Sequence, residues 1–590
     1  MTLSRLASLA VATCLSGPLL AQTVYVYQGS DWTNSIRDQF YVTDQGARIM
    51  PISWFRALTL PDGSPFLHDS LARYGYIPLP GTGEADLPVG FSTNGAGDDM
   101  AVGMTCAACH TREIEVSGTP YRLDGGPAIT DFQSFLKDLD DAVLAVLADD
   151  AAFATFADTV LGASPDPAKV SALKSEVTVW SKRFHTLIDR SLPDPAWGPA
   201  RLDAVSMIFN RLAGLDLGPE SDDYIIADNI VVADAPTRYP FLWNAARQDY
   251  TQWPGFAPNG NELFGLIRNL GEVYGVFADF QPTKVGSGIL SYHDYLSTNS
   301  ADWAGLSDLE KWISDIGAPK WPWAIDQDLA DTGKTIFDMK KEDGGCVECH
   351  GITTGKIRGL EPTWATPIID TGTDTRECQV MSRTVQTGVL EGAIDLSAIK
   401  SLFSDNPQIT FGAEASAVDV LTTSVVGAII QHTISNLGSA TRSEADRVAK
   451  TPDLKDDIEF LRKIPGFDQV LSPDAEPLME VPATASTGCA YESRVLEGIW
   501  AAAPYLHNGS VPTLTDLLNP PDQRPQSFKP GPAYDIENVG MAVDQTRFDH
   551  VIETTGCDDL NSGDSRCGHD WGTDLDADKK KALLEYLKSI

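Results

Sequence analysis

The sequence predicts a mainly α-helical protein of two domains, with long loops and little β structure. Apolar residues recur at helical spacing in several separate stretches. A stiff, aromatic connection around Pro319, Trp321, Pro322 and Trp323 divides the 590 residues. The pentapeptide Cys-x-x-Cys-His occurs once on each side of that connection.

The first copy is Cys106-Ala107-Ala108-Cys109-His110 and the second is Cys346-Val347-Glu348-Cys349-His350. This is the attachment signature of c-type haem: the thiols form thioethers to the haem vinyls and the adjacent imidazole binds the iron. A zinc ribbon needs its two cysteine pairs close together, and here they lie 240 positions apart (346 minus 106). A thioredoxin-like site would be single and would leave both histidines unexplained. Two covalently attached haems c are therefore expected, one in each of two c-type cytochrome domains.

At the N-terminus, Arg5 precedes a short apolar run from Leu6 to Leu20, and Ala21 offers a cleavage point, so 1–21 reads as a secretory signal. Cys14 lies in that run but follows Thr13, where a lipoprotein signal prefers a smaller residue. The expected location is periplasmic or secreted, which suits haem attachment outside the inner membrane. A net charge of −38 argues against nucleic acid as a partner and suits a small basic redox protein.

Residues 22–320 form the expected first domain. Its opening stretch is rich in turn formers and aromatics. Thr130-Asp131-Phe132-Gln133 reads as a capping box before a helix through Phe135, Leu139 and Val143. A second amphipathic helix holds Val170, Leu173, Val177, Trp180, Phe184 and Leu187, with His185 at its flank. The expected second domain, 321–590, opens with Leu329, Gly333, Ile336 and Phe337 on one helical face and closes with a helix over 576–590. Gly333 and Tyr586 suit a close crossing of these two helices. The apolar stretch from Val418 to Leu437 contains Asp419, Gln431 and His432, so a buried helix is expected there, and no transmembrane segment in the mature chain.

Two of nine histidines are assigned as proximal ligands. Among the others, His507 in Pro-Tyr-Leu-His-Asn-Gly and His569 in Cys-Gly-His-Asp-Trp-Gly stand out as sixth-ligand candidates. Outside the motifs and the signal, Cys378, Cys489, Cys557 and Cys567 remain, and in an exported protein they should form disulfides. Cys557–Cys567 would close a short loop beside His569, leaving Cys378–Cys489. Asp559, Asn561, Gly563 and Asp564 faintly suggest a calcium loop, but the glycine is off register and no Glu closes it, so a solvated turn is expected.

Gly498-Ile499-Trp500 and the following APYLHNGSVPTL resemble the di-haem cytochrome c peroxidase superfamily. LPVGF (87–91), LDGGPAITDFQSFL (123–136), RYPFLWNAARQDYTQWPG (238–255) and GHDWGTDL (568–575) are similar to its di-haem rubber oxygenase-like branch. The resemblance implies two helical haem domains with an interface between the haems. It implies that His350 and His569 bind the second, electron-transferring haem, with His507 near its propionates or the interface. The first haem, on His110, has no matching distal ligand and becomes the reactive centre for peroxide or dioxygen. In the oxygenases the distal pocket is apolar; in the peroxidases an acidic residue stands there, a role open to Glu262 or Glu272. Trp243, Trp253 and Trp500 are candidates to line the pocket or to relay electrons. The expected function is an exported di-haem oxidoreductase; the alternatives are an oxygenase cleaving an apolar polyene and a non-catalytic electron carrier.

Overall fold

The computed structural model describes residues 22–286, 293–358, 362–397, 410–436, 460, 478–479 and 489–590. The proposed signal segment, 1–21, lies outside the described residues. The fold is mixed α/β rather than mainly α: about 40% is helix and 15% strand. The described strands form ten small sheets of two or three strands each. Two cytochrome domains of the expected helical kind are not resolved. The physical reason is length, since most strands here span two to four residues and are too short to leave an alternating pattern in the sequence.

Several of these strands flank the first haem motif. Strands β1 (Phe91–Asn94) and β2 (Ala101–Met104) pair antiparallel and deliver the chain into the helical turn α1 (Cys106–Cys109). Gly90 precedes this hairpin at φ +81°, and a Cβ there would meet the Ala108 backbone nitrogen at 1.9 Å, so glycine lets the chain lie against the turn. After His110 come β3 (Thr111–Val116) and β4 (Thr119–Asp124), joined by Ser117 and Gly118, both at positive φ. Such a two-residue turn matches the twist of the flanking strands. The buried Asp124 then accepts hydrogen bonds from Trp32 (2.7 Å), Arg37 (2.6 Å) and Tyr41 (2.5 Å).

Helix α2 (Phe132–Ala148) starts at the expected place, but its cap differs. Asp131 is the N-cap, accepting from the Ser134 amide at 3.0 Å, and Gln133 turns away to donate to the Pro193 carbonyl at 2.9 Å. Helix α3 (Pro167–Ser191) buries the predicted stripe against α2, and His185 bonds Asp140 at the core edge (2.7 Å). Helices α4 (Ala204–Leu215), α5 (Glu262–Gly275) and α6 (Trp303–Asp315) follow. A later helix, α9 (Ala417–Asn436), is long and apolar enough to cross a membrane, yet its apolar window is 72% buried, and it packs on α4 and α5.

Helix α7 (Gln327–Phe337) crosses the C-terminal helix α10 (Ala577–Ser589) as expected. A Cβ on Gly333 would come within 1.9 Å of the Ala582 carbonyl and 2.8 Å of the Tyr586 Cβ, while the Phe337 and Tyr586 rings meet at 5.2 Å. Between them α8 (Val347–His350) holds the second motif. The hydrophobic core disregards residue 320: Phe241, Trp243 and Leu309 pack in one cluster with Phe337, Trp500 and Leu583.

Candidate haem centres

Both motif histidines are fixed in the same way by distant backbone. His110 Nδ1 donates to the Pro240 carbonyl at 2.9 Å, and His350 Nδ1 donates to the Arg494 carbonyl at 2.7 Å. A carbonyl only accepts, so each ring carries its proton on Nδ1 and keeps a lone pair on Nε2 for a metal. Burial lowers the affinity of both rings for a second proton, that of His110 to about 4, which keeps them neutral as ligation requires. The thiols of Cys106, Cys109, Cys346 and Cys349 are free, whereas Cys378–Cys489 and Cys557–Cys567 are bonded as expected.

The second motif opens on a cleft of about 1180 Å³, counting its solvent-open part, and His569 lies within it. The His350 and His569 ring centroids are 6.1 Å apart. Two metal–imidazole bonds of about 2 Å and two ring radii of about 1 Å add to about 6 Å, so one iron fits between them. His569 Nδ1 is buried and makes no hydrogen bond, and burial, followed by the influence of His350, pushes the ring down to about 3. The leucines Leu514, Leu518, Leu583 and Leu587 supply an apolar wall. Free thiols, a neutral proximal imidazole and a facing imidazole at this spacing fit haem c.

The loop that carries His569 is held at several points. Gly568 and His569 both stand at positive φ, and Gly568 packs so tightly on Gly372 that a Cβ would clash at 2.5 Å. The Cys557–Cys567 bridge closes the loop just upstream. Arg524, itself 2% exposed, donates to the carbonyls of Arg566 (2.7 Å), Gly568 (2.8 Å) and His569 (3.2 Å). Sequence reasoning missed Arg524; an arginine in a proline-rich loop has no periodic partner to mark it. Of the faint calcium pattern nearby, Asp559 accepts from the Asn561 amide at 3.0 Å and Asp564 pairs with Arg201 at 2.6 Å.

His507 lines the same cleft but lies flat on Tyr491, ring centroids 3.7 Å apart. Trp253 also lines this cleft, its indole N–H donating to the Arg238 carbonyl at 3.0 Å. Trp243 is fully buried, stacked on Phe241 at 4.6 Å and bonded to the Glu497 carbonyl at 2.8 Å. Trp500 is likewise buried and donates to the Pro319 carbonyl.

The first motif has a smaller cavity of about 510 Å³, counting its solvent-open part, where His110 and Cys106 are joined by Gln252, Arg268, Asn269, Glu272 and Arg494 and by the apolar side chains of Pro240, Leu242, Ala245 and Ile313. Arg268, Asn269 and Glu272 share one face of α5, the opposite face packing into the core through Ile267, Leu270 and Val273. Burial raises the Glu272 carboxyl above its ordinary range, with Arg268 opposing and Glu310 adding to the shift. Glu310, on α6, holds both Arg268 (2.9 Å) and Asn269 (2.7 Å). Glu262 is exposed at the first turn of α5 and faces a different cleft, beside Trp303 and His432. The structure thus brings Glu272, and not Glu262, to the cavity of His110.

Among known proteins, the family described as RoxA-like, cytochrome c-like matches residues 490–529, the segment that holds Arg494, His507 and Arg524. The chain is 28% identical to the uncharacterized protein y4iJ of Sinorhizobium fredii, over 95% of this chain and 92% of that one. It is 37% identical over 116 residues to the uncharacterized protein y4iM of the same organism, covering 17% of this chain and 27% of that one. The RoxA-like, cytochrome c-like segment supports haem c as the cofactor and haem-dependent oxidoreduction as the chemistry.

Proposed function

We propose that the protein is an exported di-haem oxidoreductase that reduces peroxide at the centre built on His110 and feeds it electrons from the centre built on His350 and His569. The observation that supports peroxide is the buried carboxyl of Glu272 in the cavity of His110, raised by burial, with Arg268 beside it. Cys106, Cys109 and His110 would hold one haem; Cys346, Cys349, His350 and His569 would hold the other. When bound, the first haem supplies an iron with an open position and the second an iron that only exchanges electrons.

The chain's own groups do the rest. Burial lets Glu272 keep its proton to a higher pH than a solvent-exposed glutamate does, and the carboxyl can deliver that proton to a departing oxygen. Arg268, fixed by Glu310, places positive charge where negative charge develops. The Pro240 carbonyl orients His110 and raises its basicity. At the other centre two imidazoles leave no room for peroxide. Electrons would come from a small basic redox protein drawn by the charge of −38.

The RoxA-like match favours a second reading, in which dioxygen replaces peroxide and an apolar polyene is cleaved. The charged and amide side chains around His110 weigh against it, because an apolar substrate gains nothing from them. Adding hydrogen peroxide to the half-reduced protein, and following each centre by its absorption band, tests the proposal. Rapid oxidation with reducing equivalents drawn from both centres is expected. Failure to react with peroxide, with rapid oxidation by dioxygen instead, would replace the first reading with the second.

A further inference from the structure

The supports of the two motif histidines are joined to each other. His110 leans on the Pro240 carbonyl, and His350 leans on the Arg494 carbonyl. Arg494 then reaches back, its Nη1 donating to the Phe241 carbonyl at 2.6 Å, the carbonyl next along the chain from that of Pro240. Its guanidinium lies 4.7 Å from the centre of the Phe241 ring. Arg494 lines both cavities, that of His110 and that of His350; among the described residues no other lines both. It is held from behind by Glu492, itself buried, at 2.8 Å.

We propose that Arg494 is a positioning residue that couples the two haem centres, fixing His350 through its carbonyl and the Pro240–Phe241 support of His110 through its guanidinium. The proposal rests on the two-haem reading above. Three hydrogen bonds, the short backbone from Pro240 to Phe241 and the length of the Arg494 side chain give a continuous path from one proximal imidazole to the other. The segment at Pro240 is short, and its peptide link to Phe241 is planar. A change of charge at one iron alters the strength of its own Nδ1–H···O bond. Through Arg494 that change reaches the bond at the other. By linkage the effect is reciprocal: whatever reduction of the second centre does to the potential of the first, the first does to the second. In the electron-transfer step itself one electron leaves the second centre and one arrives at the first, and no bond is made or broken.

Two holoprotein variants test this. Arg494→Lys keeps the charge beside Glu492 but loses the reach and planar fork that engage the Phe241 carbonyl. The double variant Arg494→Met/Glu492→Gln removes both buried charges together, so that neither is stranded if the single variant folds poorly. Haem content per chain is measured first, in the wild type and both variants. Electron equilibration between the centres is then timed after flash photolysis of the half-reduced, carbon monoxide-bound protein, and both reduction potentials are titrated. The expected result is two haems per chain, an equilibration rate lowered by about tenfold or more, and a weakened mutual shift of the two potentials. Two haems with unchanged rate and potentials in both variants would overturn the coupling role alone. A wild-type protein with one haem would overturn the two-haem reading and the coupling with it.

Discussion

His350 and His569 face one another with ring centroids 6.1 Å apart, although 219 residues separate them in the chain (569 minus 350). That spacing admits one iron and no additional ligand. His569→Ala should therefore convert one haem from low spin to a form with an open or water-filled position. Electron paramagnetic resonance and the visible spectrum report the change directly. A low-spin spectrum that survives the substitution would transfer the ligand role to His507.

Arg524 places His569 by gathering three carbonyls of its loop. Arg524→Met should leave these acceptors unpaired at a cost of about 1.5–3 kcal/mol for each charge-assisted bond that is not replaced by water. On mild heating the second centre should then lose its bis-histidine spectrum before the first centre changes. Simultaneous loss of both signals would mean that Arg524 serves the whole fold and not this loop.

The parts of the site set by local sequence were legible in advance, and the parts set by distant backbone were not. Cys106–His110 and Cys346–His350 declare themselves because thioether chemistry needs a fixed local spacing. The Gly333–Tyr586 crossing and both disulfides also followed from residue type and number. In contrast, Pro240 and Arg494 act through their carbonyls, which every residue possesses, and no side-chain pattern announces them. Glu262 and Glu272 are the same residue type on one helix; only the direction in which each faces separates an exposed first-turn acid from one in the cavity of His110. The fold class was misjudged for a related reason, since strand pairs as short as Met50–Pro51 with Ala101–Val102 have no periodicity to read.

Gly333 sits where α7 and α10 touch, with the Ala582 carbonyl 1.9 Å from the position a Cβ would take. Gly333→Ala should force the helices apart and destabilise the protein by about 1–3 kcal/mol. Thermal unfolding measures the loss. An unchanged midpoint would show that the crossing relaxes without cost.

Asp203 is 1% exposed and caps α4, accepting from the Ser206 and Ala235 amides at 2.9 Å. Burial raises its carboxyl to about 6. The folded state thus binds a proton that the unfolded chain, with an ordinary aspartate, has released. Stability from this group is present below the unfolded value near 4 and is lost as pH rises through about 6, by at most about 3 kcal/mol. Asp203→Asn keeps a capping oxygen and cannot ionise, so its unfolding midpoint should fall less steeply than the wild type's between pH 4 and 7. Parallel curves would place the wild-type dependence elsewhere.

Glu272 and Glu262 offer the sharpest discrimination, because both lie on α5 and only one faces His110. If Glu272 delivers a proton to the departing oxygen, Glu272→Gln should slow peroxide turnover by about 10²–10⁴-fold while leaving both haems attached. Its rate should also lose the alkaline limb of its pH profile, the fall that accompanies ionisation of Glu272 as pH rises, since an amide does not titrate there. Glu262→Gln changes an exposed first-turn carboxylate and should leave turnover within about twofold of wild type. Stopped-flow mixing of the half-reduced protein with peroxide distinguishes the two. Equal rates for Glu272→Gln and wild type would remove the acid from the chemistry, and with it the main support for peroxide over dioxygen as the oxidant.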